Sequence, residues 1–258
     1  MTIPSDIGSP GSAPGDALDP GLLGLSRATR SGNVADRLIT AIAVGAYSPG
    51  ERLPSERELA ELLSVSRVTI RQALQRVIEL GLVESRRGRA GGTFVTMLSW
   101  QDVAPVEARR PLEVELPRLR ELFDYRCMVE GMIAAAAAER RSETDVVDLQ
   151  RALGAFGAAG DDMVTARALD RRLHGLVCAA ARNRHLVSLS AHLTAAATLG
   201  FGAEPYEEGF FAQALQEHQQ LIAAVVDSDA AAARSIAQHH FSLTYLTMEH
   251  SLRRAGER

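Results

Sequence analysis

Apolar side chains follow three regimes along the chain: no sustained spacing at the start, then a short mixed region, then a long helical remainder. Residues 1–28 mix Pro, Gly, Ser, Ala and Asp without sustained periodicity, which predicts a disordered tail. Helical spacing begins with Val34, Leu38, Ala41 and Ile42. Pro49 and Gly50 then mark a turn. Ser55, with Glu58 three residues on, is a capping-box start for a helix that carries Leu59, Leu62 and Leu63 inward. After a break at Ser64 and Val65, Ser66 caps a second helix whose stripe is Ile70, Leu74, Val77 and Ile78, with Gly81 as its stop. Two strand-like runs, 82–85 and 93–95, are joined by a basic, glycine-rich tip at 86–92 and predict a hairpin.

The pattern lapses over 98–114, and everything after Pro117 reads as helix: 117–141, 143–157, 162–181, 184–200, 208–227 and 229–252. Ser142, Gly160, Asn183, Glu204-Pro205 and the 227–229 turn supply the breaks. The expected fold is mainly α: a winged helix-turn-helix over 29–97, a linker over 98–114 and an all-α bundle over 115–252. A chain of 258 residues is long enough for two domains with independent cores.

Composition narrows the setting. The longest apolar stretch, near 132–138, is Ala-rich and bounded by Glu130 and Glu139, so no membrane span is expected. The start lacks the basic and apolar blocks of a secretory signal. Cys127 and Cys178 are far apart and form no CxxC, which suits a reduced, cytoplasmic protein. All 28 basic residues are arginine, which excludes Schiff-base lysine chemistry. The net charge of −4 conceals a local excess: residues 66–92 hold six Arg (67, 71, 76, 86, 87, 89) against Glu79 and Glu84, a balance of +4.

A helix pair with a tight break, followed by a hairpin, places its second helix in a major groove with the first bracing it. Ser66, Arg67, Thr69 and Arg71 are the residues near the start of that second helix that the core stripe leaves free. Arginine bonds bidentately to guanine, and hydroxyls contact bases or phosphate. Arg57 lies early in the bracing helix, where a phosphate would pass, and the tip supplies Arg86, Arg87, Gly88 and Arg89. The competing account is an amphipathic hairpin with a solvated basic face; the combined pattern favours DNA. The runs GERLPSERELAELLSVSRVTIRQAL (50–74), LGLVE (80–84) and RGRAGGTFV (87–95) resemble the GntR family of bacterial regulators over about residues 33–96. That resemblance implies operator contacts from Arg57, Ser66, Arg67, Thr69 and Arg71, with the wing near Gly88 in the minor groove.

The helical half carries a second constellation. Asp170 and His174 lie four apart on a stripe continued by Val177 and Cys178. His218 shares its stripe with Leu221, Ile222 and Val225, and His240 with Ile236 and Leu243, whereas His239 falls on a polar flank. Three inward histidines and an inward aspartate make a nitrogen and oxygen ligand set suited to zinc or nickel. The alternative is a set of separately satisfied core histidines; a shared cation accounts for all four buried polar groups together.

The absence of strands and of lysine leaves, among the family's effector domains, a resemblance to the FadR-type all-α ligand-binding (FCD) class over about 115–250. DRRLH at 170–174 is similar to the D-x-x-F-H element of its metal-binding subgroup, with Leu173 in place of Phe, and the His218-to-His240 interval of 22 matches as well. The resemblance implies a small organic acid at a divalent metal, zinc first with nickel or manganese as alternatives. It also implies Arg126, in an R-x-x-x-E element with Glu130, as the carboxylate holder; a structural Arg126–Glu130 ion pair is the competing account. Asn183 is a weaker effector-binding candidate, since helix termination also explains it. The expected function is a homodimeric, ligand-responsive regulator, a repressor rather than an enzyme, on a pseudo-palindromic operator. A metal-dependent hydrolase with an attached DNA-binding domain, or a metal-free acyl-ligand sensor, are the alternatives.

Overall fold

The computed structural model of the chain describes residues 30–43, 46–88, 91–96, 105–160, 162–201 and 210–256. The expected tail at 1–28, Arg89 at the wing tip and the break at Glu204-Pro205 lie outside these residues. In the first region α1 (Arg30–Ala43), α2 (Glu56–Leu63) and α3 (Arg67–Glu79) precede a hairpin of β1 (Val83–Arg86) and β2 (Gly92–Val95). Ser55 accepts the Glu58 N–H, and the Glu58 carboxylate accepts the Ser55 N–H at 2.7 Å, so the expected capping box opens α2. Such a cap contributes about 1 kcal/mol. α2 stops at Ser64 in the left-handed region (φ 51°), and Ser66 returns to extended backbone to cap α3. The turn of the helix-turn-helix is therefore the three residues 64–66. Leu59 and Leu63 are buried as their spacing predicts, but Leu62 is 49% exposed. At about 100° per residue, Leu62 sits on the flank of the narrow arc that Leu59 and Leu63 share.

β1 and β2 pair antiparallel with Val83 opposite Val95 and Arg86 opposite Gly92. A third extended piece, absent from the sequence reading, follows the Pro49-Gly50 turn. The Gly50 N–H donates to Val95 O (3.0 Å), the Val95 N–H to Glu51 O (2.9 Å) and the Leu53 N–H to Thr93 O (2.8 Å). Both edges of β2 are thereby paired, which removes an open strand edge.

The second region is built on α4 (Pro105–Arg140), followed by α5 (Glu143–Ala158), α6 (Met163–Ala180), α7 (Arg184–Ala197), α8 (Phe210–Val226) and α9 (Ala230–Gly256). α4 begins inside the stretch expected to be linker and runs through Pro111 and Pro117. Pro105 suits a first helical position, where its missing N–H costs nothing. Each interior proline removes one helical hydrogen bond. Burial of Leu119 and Phe123 just beyond them offsets that loss. α9 lies close along α4: a Cβ added at Gly131 would meet Gln238 Cγ at 2.6 Å and Arg234 O at 3.1 Å.

Among the described residues the apolar side chains form two large hydrophobic cores and a small third cluster of Phe156, Ala166 and Ala214, and the two large cores share a helix. The first joins α1–α3 and the wing, and it is closed by Leu119 and Phe123 of α4 and by Ala197, Leu199 and Phe201 at the end of α7. The second fills the bundle with residues such as Ile133, Leu149, Leu173, Leu193 and Val225. α4 contributes to both, so it is the spine of the molecule. Among the described residues no helix is long and apolar enough to cross a membrane. Cys127 and Cys178 are both free thiols, and burial pushes the Cys178 pKa up to about 11.

Candidate metal centre and nucleic-acid interface

Three helices bring four side chains that could hold a metal ion to one point in the helical bundle. α6 presents Asp170 and His174, α8 presents His218 and α9 presents His240, and one candidate ligand atom from each lies within 4.8 Å of the others. The Nε2 atoms form a nearly equilateral triangle: 3.0 Å from His174 to His218, 3.1 Å from His174 to His240 and 3.1 Å from His218 to His240. Asp170 closes the set, with Oδ1 3.3 Å from His218 Nε2 and Oδ2 3.6 Å from His174 Nδ1.

This triangle does not satisfy itself. Each neutral imidazole offers one donor and one acceptor nitrogen, and a proton on one Nε2 can serve only one neighbour. His240 Nδ1 lies 2.9 Å from Glu217 Oε2, which keeps the proton on Nδ1 and leaves Nε2 as a bare lone pair facing the triangle. Burial raises the Glu217 pKa, but hydrogen bonds from His240 and Gln213 outweigh it and hold the carboxyl below its ordinary value. His218 is fully buried. That burial, and then the His240 and His174 rings, push its pKa well below the ordinary histidine value. Its Nδ1 is buried without a hydrogen-bond partner among the described residues. Three converging lone pairs beside a carboxylate fit a divalent cation that takes nitrogen and oxygen ligands. His239 is mostly exposed and touches Glu217 from outside at 3.4 Å, so the geometry selects His240, as the stripe argument expected.

Next to this cluster lies Arg126, 1% exposed on α4. Its guanidinium carbon stands 4.6 Å from the Phe241 ring centre, and Nη2 is 3.4 Å from Thr194 Oγ1. Phe241 also packs on His174 (4.8 Å) and His240 (5.3 Å), so a single aromatic ring connects Arg126 to the ligand cluster. One turn along, buried Glu130 accepts the Ser190 hydroxyl at 2.7 Å. Asn183 caps α7, with Oδ1 accepting from His185 and Leu186 N–H. Helix termination is thus the role its geometry displays.

Sequence reasoning missed the roles of four side chains: Glu217 as the orienting partner of His240, Phe241 as the bridge, and the α7 hydroxyls of Ser190 and Thr194. The last two sit four apart, a spacing visible in the sequence, but serine and threonine at that spacing are common on solvated faces.

Among the described residues, the first region keeps the arginines expected to contact DNA in the open. Ser66 accepts the Thr69 N–H, and the two hydroxyls lie 2.8 Å apart at the start of α3. Arg71 grips Glu56 with two bonds, Nε to Oε1 at 3.1 Å and Nη2 to Oε2 at 2.9 Å, and Arg67 Nη2 stands 3.8 Å from the same carboxylate. The Arg71 hydrogen bond holds the Glu56 pKa below its ordinary value. Arg57 pairs with Glu61 at 3.2 Å. On the wing, Arg86 pairs with Glu84 and lies 4.3 Å from the Phe94 ring centre, Arg87 is exposed, and Gly88 takes φ +108°, where glycine is favoured.

Comparison with known proteins matches this division. Residues 30–95 fit the model of the gntR family of bacterial regulatory proteins, and residues 121–243 fit that of the FCD domain. The chain is 31% identical over 213 residues to the galactonate operon transcriptional repressor of Escherichia coli (80% of this chain, 92% of the relative). It is 30% identical over 151 residues to the transcriptional regulator LutR of Bacillus subtilis, covering 58% and 67% of the two chains. It is also 34% identical over 139 residues to the regulator Mce2R of Mycobacterium tuberculosis, covering 52% and 56%. A winged helix-turn-helix with exposed arginines, joined by a shared spine to an all-helical effector domain, makes this chain a member of the GntR family of bacterial DNA-binding transcription regulators, with an FCD domain at its C-terminal side.

Proposed function

We propose that this regulator binds a pseudo-palindromic operator as a homodimer in the cytoplasm, and that a small organic acid taken up at a divalent-metal centre releases it. The observation that carries this reading is the triangle of three Nε2 atoms at 3.0–3.1 Å beside Asp170. Asp170, His174, His218 and His240 hold the metal, with zinc the first choice and nickel or manganese the alternatives. A divalent cation held there supplies positive charge and coordination positions that the oxygens of an acid can fill. Arg126, already out of water against Phe241, receives the acid's carboxylate. Asn183 caps α7 through its Oδ1 and is the weaker of the two effector-binding candidates. A relative named as a repressor of a galactonate operon agrees with repression and with an acid as the signal.

On DNA, Arg67 and Arg71 read base edges while Ser66, Thr69 and Arg57 take phosphates or neighbouring bases. Arg86, Arg87, Gly88 and Arg89 bring the wing to the minor groove. The effector favours one arrangement of the helical domains, which moves the two heads off their half-site spacing. The protein works by binding rather than turnover. Metal content by inductively coupled plasma mass spectrometry, on untagged wild type beside His218→Ala, tests the centre. About one metal per chain in the wild type, and none in the variant, is the expected result. Metal-free wild type after zinc and nickel reconstitution overturns it and returns the histidines to the core.

A further inference from the structure

Arg167 stands on α6 three residues before Asp170 and seven before His174, on the same side of the helix. It is 5% exposed. Its Nη1 reaches Glu51 Oε2 at 2.6 Å and its Nη2 reaches Ser48 Oγ at 3.1 Å, both in the reading head. We propose that Arg167 is a positioning residue that fixes the reading head to the helix bearing Asp170 and His174, so that occupation of the metal centre sets where the head sits.

Glu51 is well chosen as the receiving group. Its carboxylate also accepts the Ser48 N–H at 2.8 Å, which stiffens the turn before the wing. Its carbonyl accepts the Val95 N–H at 2.9 Å, inside the wing sheet itself. Force applied at Arg167 therefore reaches β2 through one residue. α6 is continuous from Arg167 to His174, about 10 Å of helix. A rotation that brings Asp170 and His174 onto a cation must carry Arg167 with it.

Other elements also cross this joint. Arg37 of α1 donates Nε to Leu199 O at 2.9 Å, and Tyr47 meets Phe201 edge-on with ring centres 5.9 Å apart. Residues 199–201 thus form a second attachment that α6 does not control. One attachment can act as a pivot while the other sets the angle. A buried ion pair also suits a position-setting role better than a stabilising one, because its desolvation cost cancels much of its attraction while its geometry admits few alternatives. Beside it the Tyr47 hydroxyl is buried without a hydrogen-bond partner among the described residues, so the joint is not fully satisfied in this arrangement.

The inference rests on the metal reading above, and the test separates the two. Amide hydrogen exchange is followed in residues 46–53 of the full chain, where the Ala46, Gly50, Glu51 and Leu53 N–H groups are all bonded. The proteins are wild type, Arg167→Gln, Glu51→Gln, their double variant and the milder Ser48→Ala, each with and without zinc.

Without metal, exchange in 46–53 should rise about tenfold or more in either charge variant. The double variant should rise no further than the singles, and Ser48→Ala should show a smaller rise of the same kind. With zinc, the segment should slow in wild type. It should stay fast in Arg167→Gln although that variant takes up zinc at the same stoichiometry. Additive effects of the two charge variants, or full zinc protection in Arg167→Gln, overturn the proposal. Zinc uptake without slowing in wild type overturns it as well. Wild type that takes no zinc overturns the metal reading and the coupling together, while the metal-free comparison still decides whether Arg167 holds the head.

Discussion

Arg71 in the reading head and Arg126 in the sensor are the same side chain in opposite circumstances. Arg71 stands in solvent and shares the Glu56 carboxylate with Arg67. Arg126 is withdrawn from water onto the Phe241 ring. An exposed ion pair contributes little net energy, about 0–1 kcal/mol, so a phosphate or a base edge can replace Glu56 at low cost. A buried guanidinium cannot change partners so freely, because each unmatched state is costly. The head is built for exchange of partners and the sensor for discrimination among them.

Five substitutions can break or sharpen this contrast, beginning with the largest. Leu173, fully buried between Asp170 and His174, should cost about 2–5 kcal/mol in urea unfolding when changed to Ala. Its counterpart in the head, Leu62→Ala, should stay within about 0.5 kcal/mol. Equal losses at both positions would show that the head is as tightly packed around Leu62 as the sensor is around Leu173.

Arg71→Ala comes next. Loss of about 1–3 kcal/mol of discrimination in operator footprinting, with an unchanged urea midpoint, is the expected outcome. Unaltered footprints would remove Arg71 from the reading set. Arg57→Ala should instead weaken binding evenly across sequences and lower the slope of log K against log salt by about one. A sequence-dependent loss would make it a base reader.

The smallest effect is expected at the α5 cap. Burial raises the Asp145 pKa, but hydrogen bonds from Ser142 and Arg182 outweigh it and bring the carboxyl below its ordinary value. A carboxyl depressed in the folded state stabilises above its unfolded pKa, near ~3.9, and loses that contribution as pH falls through the folded pKa. Asp145→Asn should therefore cost about 0.5 kcal/mol at neutral pH, and the gap to wild type should close below about pH 4. A gap that persists at pH 2 would assign the loss to packing.

Legibility in the sequence follows how local each cause is. The capping box at Ser55, the stripe on α3 and the inward histidines depend on residues within a turn or two, and each is where periodicity placed it. The choice of His240 over His239 came from the same logic. The start of α4 was hidden because prolines at 111 and 117 read locally as breaks, while the burial that carries the helix past them comes from another domain. Residues 50–53 show no strand signal, since four residues barely display an alternation and the pairing partners lie 40 to 45 positions away. The partners of Glu217 and Arg167 were hidden for a similar reason: a carboxylate beside a histidine, or an arginine on a helix, reveals its partner only after the chain has folded.

The closing of the first core by Leu119, Phe123, Ala197, Leu199 and Phe201 bears on how such proteins can be rearranged. A winged head looks like a cassette that could be moved from one sensor to another. Here the cassette has an open side, and its lid is encoded more than twenty residues downstream and again after α7. Residues 30–96 expressed alone would offer that apolar side to any other surface and aggregate. Grafted onto a foreign sensor, the head would need the three α7-end residues and two α4 residues to travel with it. Inheritance by shuffling is therefore restricted to exchanges that carry both halves of the seam.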